Sequence, residues 1–275
     1  SEMCIGDRNI SVEFAQMLEK EKPIVAFGPS DPPLEYLMNL IAIVRDTNCA
    51  VTKQILDYEQ SETNNWNPTK VESNEDLNAL LAQKLQVNNC IEIQGPPGTG
   101  KTYRMAALSA ELLRQGKSVL VTALTNQALI ELVKKKDLKD FLDAHKITKT
   151  SLAVDESKEL PKLQPNPKNL CNAAPGYLSL VTFYLSSAWA KDAIEIPFDY
   201  VIMDEASQAL YPMIAASMKL GRKIIWIGDQ NQLPPIVLTG KDVINRYDWG
   251  AIVKGFNTLC CLLYTSDAAD EEDSV

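Results

Sequence analysis

The octapeptide Gly95-Pro96-Pro97-Gly98-Thr99-Gly100-Lys101-Thr102 constrains this chain more than any other feature. It matches G-x-x-x-x-G-K-[ST], in which glycines let successive backbone N–H groups close around phosphate oxygens. Such a loop needs a strand feeding it and a helix leaving it, because the helix N-terminus adds partial positive charge at the phosphate. Both neighbours are legible. Cys90–Gln94 reads as a short strand, and residues 103–115 set Met105, Ala106, Leu108, Leu112 and Leu113 at helical spacing. The expected ligand is a nucleoside triphosphate cradled by Gly95 to Thr102. Lys101 would bridge its β- and γ-phosphates, and the Thr102 hydroxyl would ligate Mg²⁺.

Beyond the loop, strand and helix patterns alternate, which predicts a mainly parallel sheet covered by helices on both faces, an α/β P-loop fold. Residues 118–123, 177–184, 200–203 and 223–227 read as strands, and 126–134 as a helix. The span 141–170 carries Pro161, Pro165 and Pro167 and reads as an insert or long connection. Upstream the pattern is mixed but largely helical. Residues 12–20 and 34–45 look helical, 63–69 looks like a loop, and Ser73 would cap a helix over 74–86. The apolar run 37–44 is far short of the ~20 residues a membrane span needs. Interrupted by Asn39, it reads as a buried helix. The expected organisation is an accessory region over 1–74, a nucleotide-binding domain over 75–258, and a tail over 259–275.

Two further strand ends carry chemistry. Asp204 and Glu205 follow the apolar run 200–203, where Asp204 would hold Mg²⁺ and Glu205 would polarise an attacking water. Adjacent carboxylates also serve as helix caps, and that bland reading weakens only because a phosphate loop lies upstream. After 223–227 come Gly228, Asp229 and Gln232, with Pro234 and Pro235 stiffening the exit, so Gln232 would reach a γ-phosphate or a nucleophilic water. The plain alternative is a surface turn.

Taken together, 95–102, Asp204-Glu-Ala-Ser-Gln208 and Gly228-Asp-Gln-Asn-Gln-Leu-Pro-Pro235 resemble motifs I, II and III of superfamily 1 helicases. The resemblance is to the group that contains nonsense-mediated-decay and Okazaki-processing helicases. It covers about residues 75–255 and implies the first RecA-like domain, with ATP and Mg²⁺ as cofactors. Residues 122–128 resemble motif Ia, so Thr125 and Asn126, with Thr182 on the next strand, would contact single-stranded nucleic acid, DNA or RNA. Three departures stand out. Leu124 replaces the usual proline of motif Ia. The adenine-reading glutamine falls near Asn78, with Gln83 as the nearest candidate. Nothing after Pro235 resembles motifs IV to VI, so the second lobe and its arginine finger are expected to be missing and the fragment to have little activity.

The formal charge of −9 argues against a globally basic nucleic-acid binder. Five carboxylates fall within 262–275, which has no Lys or Arg, and a mildly acidic body can still carry a local basic groove. Lys134, Lys135 and Lys136 would line such a groove or simply form a solvated helix face. The segment 261–271 resembles translated sequencing-adapter DNA, so 259–275 is expected to be non-native and disordered. Six cysteines without C-x-x-C spacing and a single histidine argue against zinc and fit a reduced intracellular compartment, cytoplasmic or nuclear. Two other readings remain: a nucleotide-gated protein-interaction module without unwinding activity, and a small-molecule kinase. The kinase leaves both motif II and motif III unexplained.

Overall fold

The computed structural model describes residues 3–5, 8–10, 20, 34–46, 69–71, 76–96, 98–166, 171–229, 231–232 and 240–255. The chain divides into two compact units, Ser1–Leu34 and Glu35–Val275. In the first, β1 (Met3–Ile5) and β2 (Arg8–Ile10) pair antiparallel, with Met3 opposite Ile10. That ladder is absent from the largely helical reading of this region. Most of the expected helix at 12–20, most of the loop at 63–69, Ser73, and the tail at 259–275 lie outside the described residues.

The second unit is built on a seven-stranded sheet, every pair of which is parallel. Its strands are β3 (Cys90–Gln94), β4 (Val119–Ala123), β5 (Ile147–Lys149), β6 (Gln164–Pro165), β7 (Leu178–Thr182), β8 (Phe198–Met203) and β9 (Gly221–Gly228). Their order across the sheet is β3-β9-β8-β4-β7-β5-β6. Because successive side chains in a strand point to opposite faces, the apolar runs read from the sequence feed two separate cores. Leu120, Val181, Val201, Met203, Ile224 and Trp226 face one. Val119, Val121, Leu178, Leu180, Ile202, Ile225 and Ile227 face the other.

Helices cover each face. On the second core lie α2 (Leu77–Val87), α3 (Lys101–Arg114) and α4 (Asn126–Val133), which contribute Leu81, Leu85, Met105, Leu112, Leu129 and Ile130. On the first lie α1 (Leu34–Arg45), α7 (Phe183–Asp192) and α8 (Tyr211–Ser217). Helix α1 has the expected bounds but is half-buried. Leu40 and Ile43 enter the core, whereas Met38 and Ile41 are exposed. Asn39, read as an interruption, is buried, and its Nδ2 donates to Ser187 Oγ at 3.3 Å. The amide therefore fastens α1 to α7.

Two sequence expectations need correction. Helix α2 starts at Leu77 and is capped by Asp76, whose Oδ1 accepts the N–H groups of Asn78 and Ala79 at 3.0 and 3.2 Å. A carboxylate there satisfies two orphan donors and favours the positive helix end, so it outcompetes a start at 74. The span 141–170 also is not a plain connection. It supplies α5 (Lys139–Asp143), β5, α6 (Val154–Glu159) and β6, which extend the sheet to its far edge. Pro165 is tolerated because, among the described residues, β6 is the edge strand of the sheet.

A fully buried lysine holds this edge. Lys149 Nζ donates to Glu156 Oε2 at 2.9 Å and to Ser151 O at 3.2 Å, and Glu156 Oε2 also accepts the Ala153 N–H at 2.9 Å. Removing one member of such a pair strands the other charge out of water. Glu156→Ala should therefore lower unfolding stability by about 3 kcal/mol, read by urea denaturation under far-ultraviolet circular dichroism. A loss under about 1 kcal/mol, the range of exposed pairs, would contradict the role given to this contact.

Candidate nucleotide site and strand edge

Strand register decides what meets at the carboxyl edge. Gln94 pairs with Gly228, Met203 with both Trp226 and Thr122, and Ala123 with Thr182. Five strand ends therefore finish at nearly one level, and the loops leaving them emerge side by side. Neighbouring strands lie about 4.8 Å apart. The loop after β3 is thus about 10 Å from that after β8, and Thr182 on β7 is about 20 Å from β3.

The loop after β3 is shaped by its glycines. Gly98 and Gly100 have φ of 81° and 75°, left-handed values that strain other residues, and Gly100 is the N-cap of α3. Gly95 is buried, and its N–H donates to Gly228 O at 3.0 Å, which ties the loop base to the turn after β9. Thr99 Oγ1 donates to Pro96 O at 2.8 Å. Lys101, the first residue of α3, folds back so that Nζ donates to Gly95 O and, at 3.3 Å, to Pro96 O. Thr102 sits half-buried in the first turn of the same helix, and Pro97 lies outside the described residues.

Asp204 continues the ladder past β8, its N–H donating to Thr122 O at 2.8 Å. Its Oδ1 accepts the Glu205 N–H at 2.9 Å, a bond that helps hold Glu205 at φ 55° and ψ 33°. Burial pushes the Asp204 carboxyl above its ordinary pKa, against the opposing effects of that N–H and of the Lys101 charge. Glu205 is likewise raised, first by burial and then by Asp204, while Lys101 lowers it. Glu205 Oε2 is buried with no hydrogen-bond partner. Two crowded carboxylates, one with an orphaned oxygen, fit a site that takes a divalent cation. Among the described residues no group of three or more His, Cys, Asp or Glu side chains could hold a metal, so Mg²⁺ would depend on Thr102, Asp204 and the nucleotide itself.

After β9 the buried Asp229 builds the next turn. Its Oδ1 accepts the Asn231 N–H at 3.0 Å, and its carbonyl accepts the Gln232 N–H at 3.0 Å. Gln232 is half-buried on that turn, and 233–239 lie outside the described residues.

Farther along the edge, Thr125 and Asn126 are exposed at the start of α4, where Thr125 Oγ1 caps the helix by accepting the Ala128 N–H at 3.2 Å. Thr182 is half-buried as the last residue of β7. Leu124, in place of proline, packs against the first core. The lysine run is largely committed elsewhere. Lys134 pairs with Glu131 at 2.8 Å and Glu159 at 2.7 Å, and Lys136 Nζ lies 5.7 Å from the Tyr103 ring centroid. Gln83 is exposed on α2, and Asn78 is half-buried beside its cap. The Gly95–Gly228 link escaped the sequence reading, because a backbone bond between distant strands leaves no side-chain signature.

A parallel sheet whose adjacent ends bear a G-x-x-x-x-G-K-T loop, an acidic pair and a glutamine turn defines a P-loop NTPase of the RecA-like type. The family described as an AAA domain matches residues 72–160 and 180–240, more than half of the chain, and the chain belongs to it. Its relatives include the DNA replication ATP-dependent helicase/nuclease DNA2 of Saccharomyces cerevisiae, 30% identical over 162 residues, covering 53% of this chain and 10% of that protein. The human DNA2 protein is 33% identical over 153 residues, covering 53% of this chain and 14% of that one. JHS1 of Arabidopsis thaliana is 26% identical over 219 residues, covering 72% of this chain and 16% of its own length. The chain thus carries a helicase-like domain related to the DNA2 helicases and spans a small part of them. No helix among the described residues is long and apolar enough to cross a membrane.

The raised Asp204 pKa has a stability consequence of definite sign. The folded state holds the proton to higher pH than the unfolded chain, so this group's contribution falls as pH rises through that window and is unfavourable at neutral pH. Asp204→Asn retains the Oδ1 acceptor without the charge. At pH 7 it should raise Tm. The gain should shrink as pH is lowered toward 4. A lower Tm at pH 7 in differential scanning calorimetry would overturn the electrostatic account.

Proposed function

We propose that this chain is the ATP-binding motor lobe of a nucleic-acid-stimulated, ATP-dependent helicase, with residues 75–258 as the RecA-like domain. The observation that carries this reading is strand register: Gln94 pairs with Gly228 and Met203 with Trp226, so the phosphate loop and the acidic pair leave the sheet on either side of the β9 turn, to which the Gly95 N–H is bonded. Backbone N–H groups of 95–102 and the start of α3 would hold the triphosphate. Lys101 would exchange its bonds to Gly95 O and Pro96 O for β- and γ-phosphate oxygens. Thr102 and Asp204 would hold Mg²⁺, which would neutralise phosphate charge when bound.

Glu205 then has the properties of a general base: a carboxylate with a free buried oxygen and a pKa moved toward neutrality. Gln232, held by its rigid turn, would orient the water or sense the γ-phosphate. Thr125, Asn126 and Thr182 lie on the same edge, after β4 and β7, the next two strands beyond β8, and would contact phosphates of a single strand. The relatives named above are DNA replication helicases, so single-stranded DNA is the first substrate to test. An arginine finger is worth about 10³–10⁵ in related phosphoryl transfers. The second lobe would supply it from residues outside this sequence, and the chain alone should hydrolyse ATP slowly.

Calorimetric titration of Mg²⁺·ATP should show one site, weakened at least about tenfold by Lys101→Ala. Fluorescence anisotropy with single-stranded DNA should show affinity falling steeply with salt, as phosphate contacts require. Unchanged nucleotide affinity in Lys101→Ala, or salt-insensitive strand binding, would contradict the assignment.

A further inference from the structure

The segment after the glutamine turn carries an aromatic pair that nothing above uses. Helix α9 (Lys241–Arg246) ends at Tyr247, Asp248 turns the chain with φ 54°, and α10 (Gly250–Lys254) follows. The Trp249 N–H bonds back to Ile244 O at 2.9 Å, closing the helix end across a non-glycine left-handed residue. That turn sets the Tyr247 and Trp249 rings in a stack, with centroids 5.2 Å apart and planes 24° from parallel. The rings remain 58% and 41% exposed, beside the exposed Arg246. Large aromatic surface left in water on a strained turn is not explained by packing of the fold.

The pair is anchored near the carboxyl edge. Gly255, just beyond α10, is buried at φ 51°, and a Cβ there would collide with Ala209 O. Only glycine permits that approach, so the end of α10 is pressed against the chain leaving Asp204 and Glu205. Trp249 lies six positions before Gly255, about 9 Å at helical rise. The rings therefore stand roughly one short helix from the motif II loop.

We propose that Tyr247 and Trp249 form a stacking platform for the bases of a single nucleic-acid strand. The proposal rests on the strand-binding reading above and extends it from phosphate contacts to base contacts. Every base presents a π-face, so such a platform is tolerant of sequence, and the adjacent Arg246 guanidinium suits the phosphate between stacked bases.

The test compares the full chain with Tyr247→Ala/Trp249→Ala and Tyr247→Phe/Trp249→Phe, using a labelled oligo-dT and an abasic oligomer of equal length. The unaltered chain should bind oligo-dT at least about tenfold tighter than the abasic strand. The alanine pair should lose that preference while binding the abasic strand and Mg²⁺·ATP as before, and the phenylalanine pair should keep it. No strand binding by the unaltered chain would overturn the strand-binding reading itself. Binding with no base preference, or a preference that survives the alanine pair, would overturn the platform alone. Loss of self-association in the alanine pair on sedimentation, with oligonucleotide binding unchanged, would assign the surface to protein contact instead.

Discussion

Register among parallel strands is the constraint on which everything else depends. The pairings Gln94–Gly228, Met203–Trp226, Thr122–Met203 and Ala123–Thr182 stop five strands at one level. A slip of one residue between β3 and β9 would move the phosphate loop relative to the Asp229 turn and exchange the faces presented by Ile225 and Trp226. The two cores prevent it. Each of these five strands feeds side chains to both helical layers, so register is locked by burial on both faces rather than by the ladder alone.

That lock permits an electrostatically unfavourable site. Asp204 and Glu205 are adjacent, partly or wholly buried, and pushed toward protonation by their surroundings. Glu205 also occupies a left-handed backbone conformation that costs a non-glycine residue of order 1 kcal/mol. Lys101 counters both charges only in part, since its Nζ is held by carbonyls of its own loop. A rigid sheet thus supports a site whose buried carboxylates would gain most if a cation and a triphosphate entered it. Strain and burial there are what a binding site costs the fold.

The legible parts of the sequence were those where chemistry and burial leave a side-chain record. Apolar runs marked β4, β8 and β9 because those strands are covered on both sides. Glycines at 98 and 100 marked the phosphate loop because no other residue suits their φ. By contrast, β5 is three residues ending in a buried lysine, and β6 is two residues that include a proline, so neither shows the expected pattern. Ser73 was a plausible cap by type, yet Asp76 does the work because the carboxylate reaches two N–H groups. Asn39 read as a break until its partner Ser187, 148 residues away, showed why it is buried. Contacts of that range are set by geometry and leave no periodic trace, and the local Tyr247–Trp249 stack, which depends on a turn at Asp248, leaves none either.

The central claim is that loops after β3, β8 and β9 grip one triphosphate and its metal. A crystal structure of the chain with Mg²⁺ and a non-hydrolysable ATP analogue tests it most directly. The account predicts phosphates inside the 95–102 loop, with Lys101 turned onto them, the metal between Thr102 and Asp204, and Gln232 facing the terminal phosphate. Phosphates bound elsewhere, or a loop whose Lys101 keeps its carbonyl partners while nucleotide occupies another surface, would contradict it.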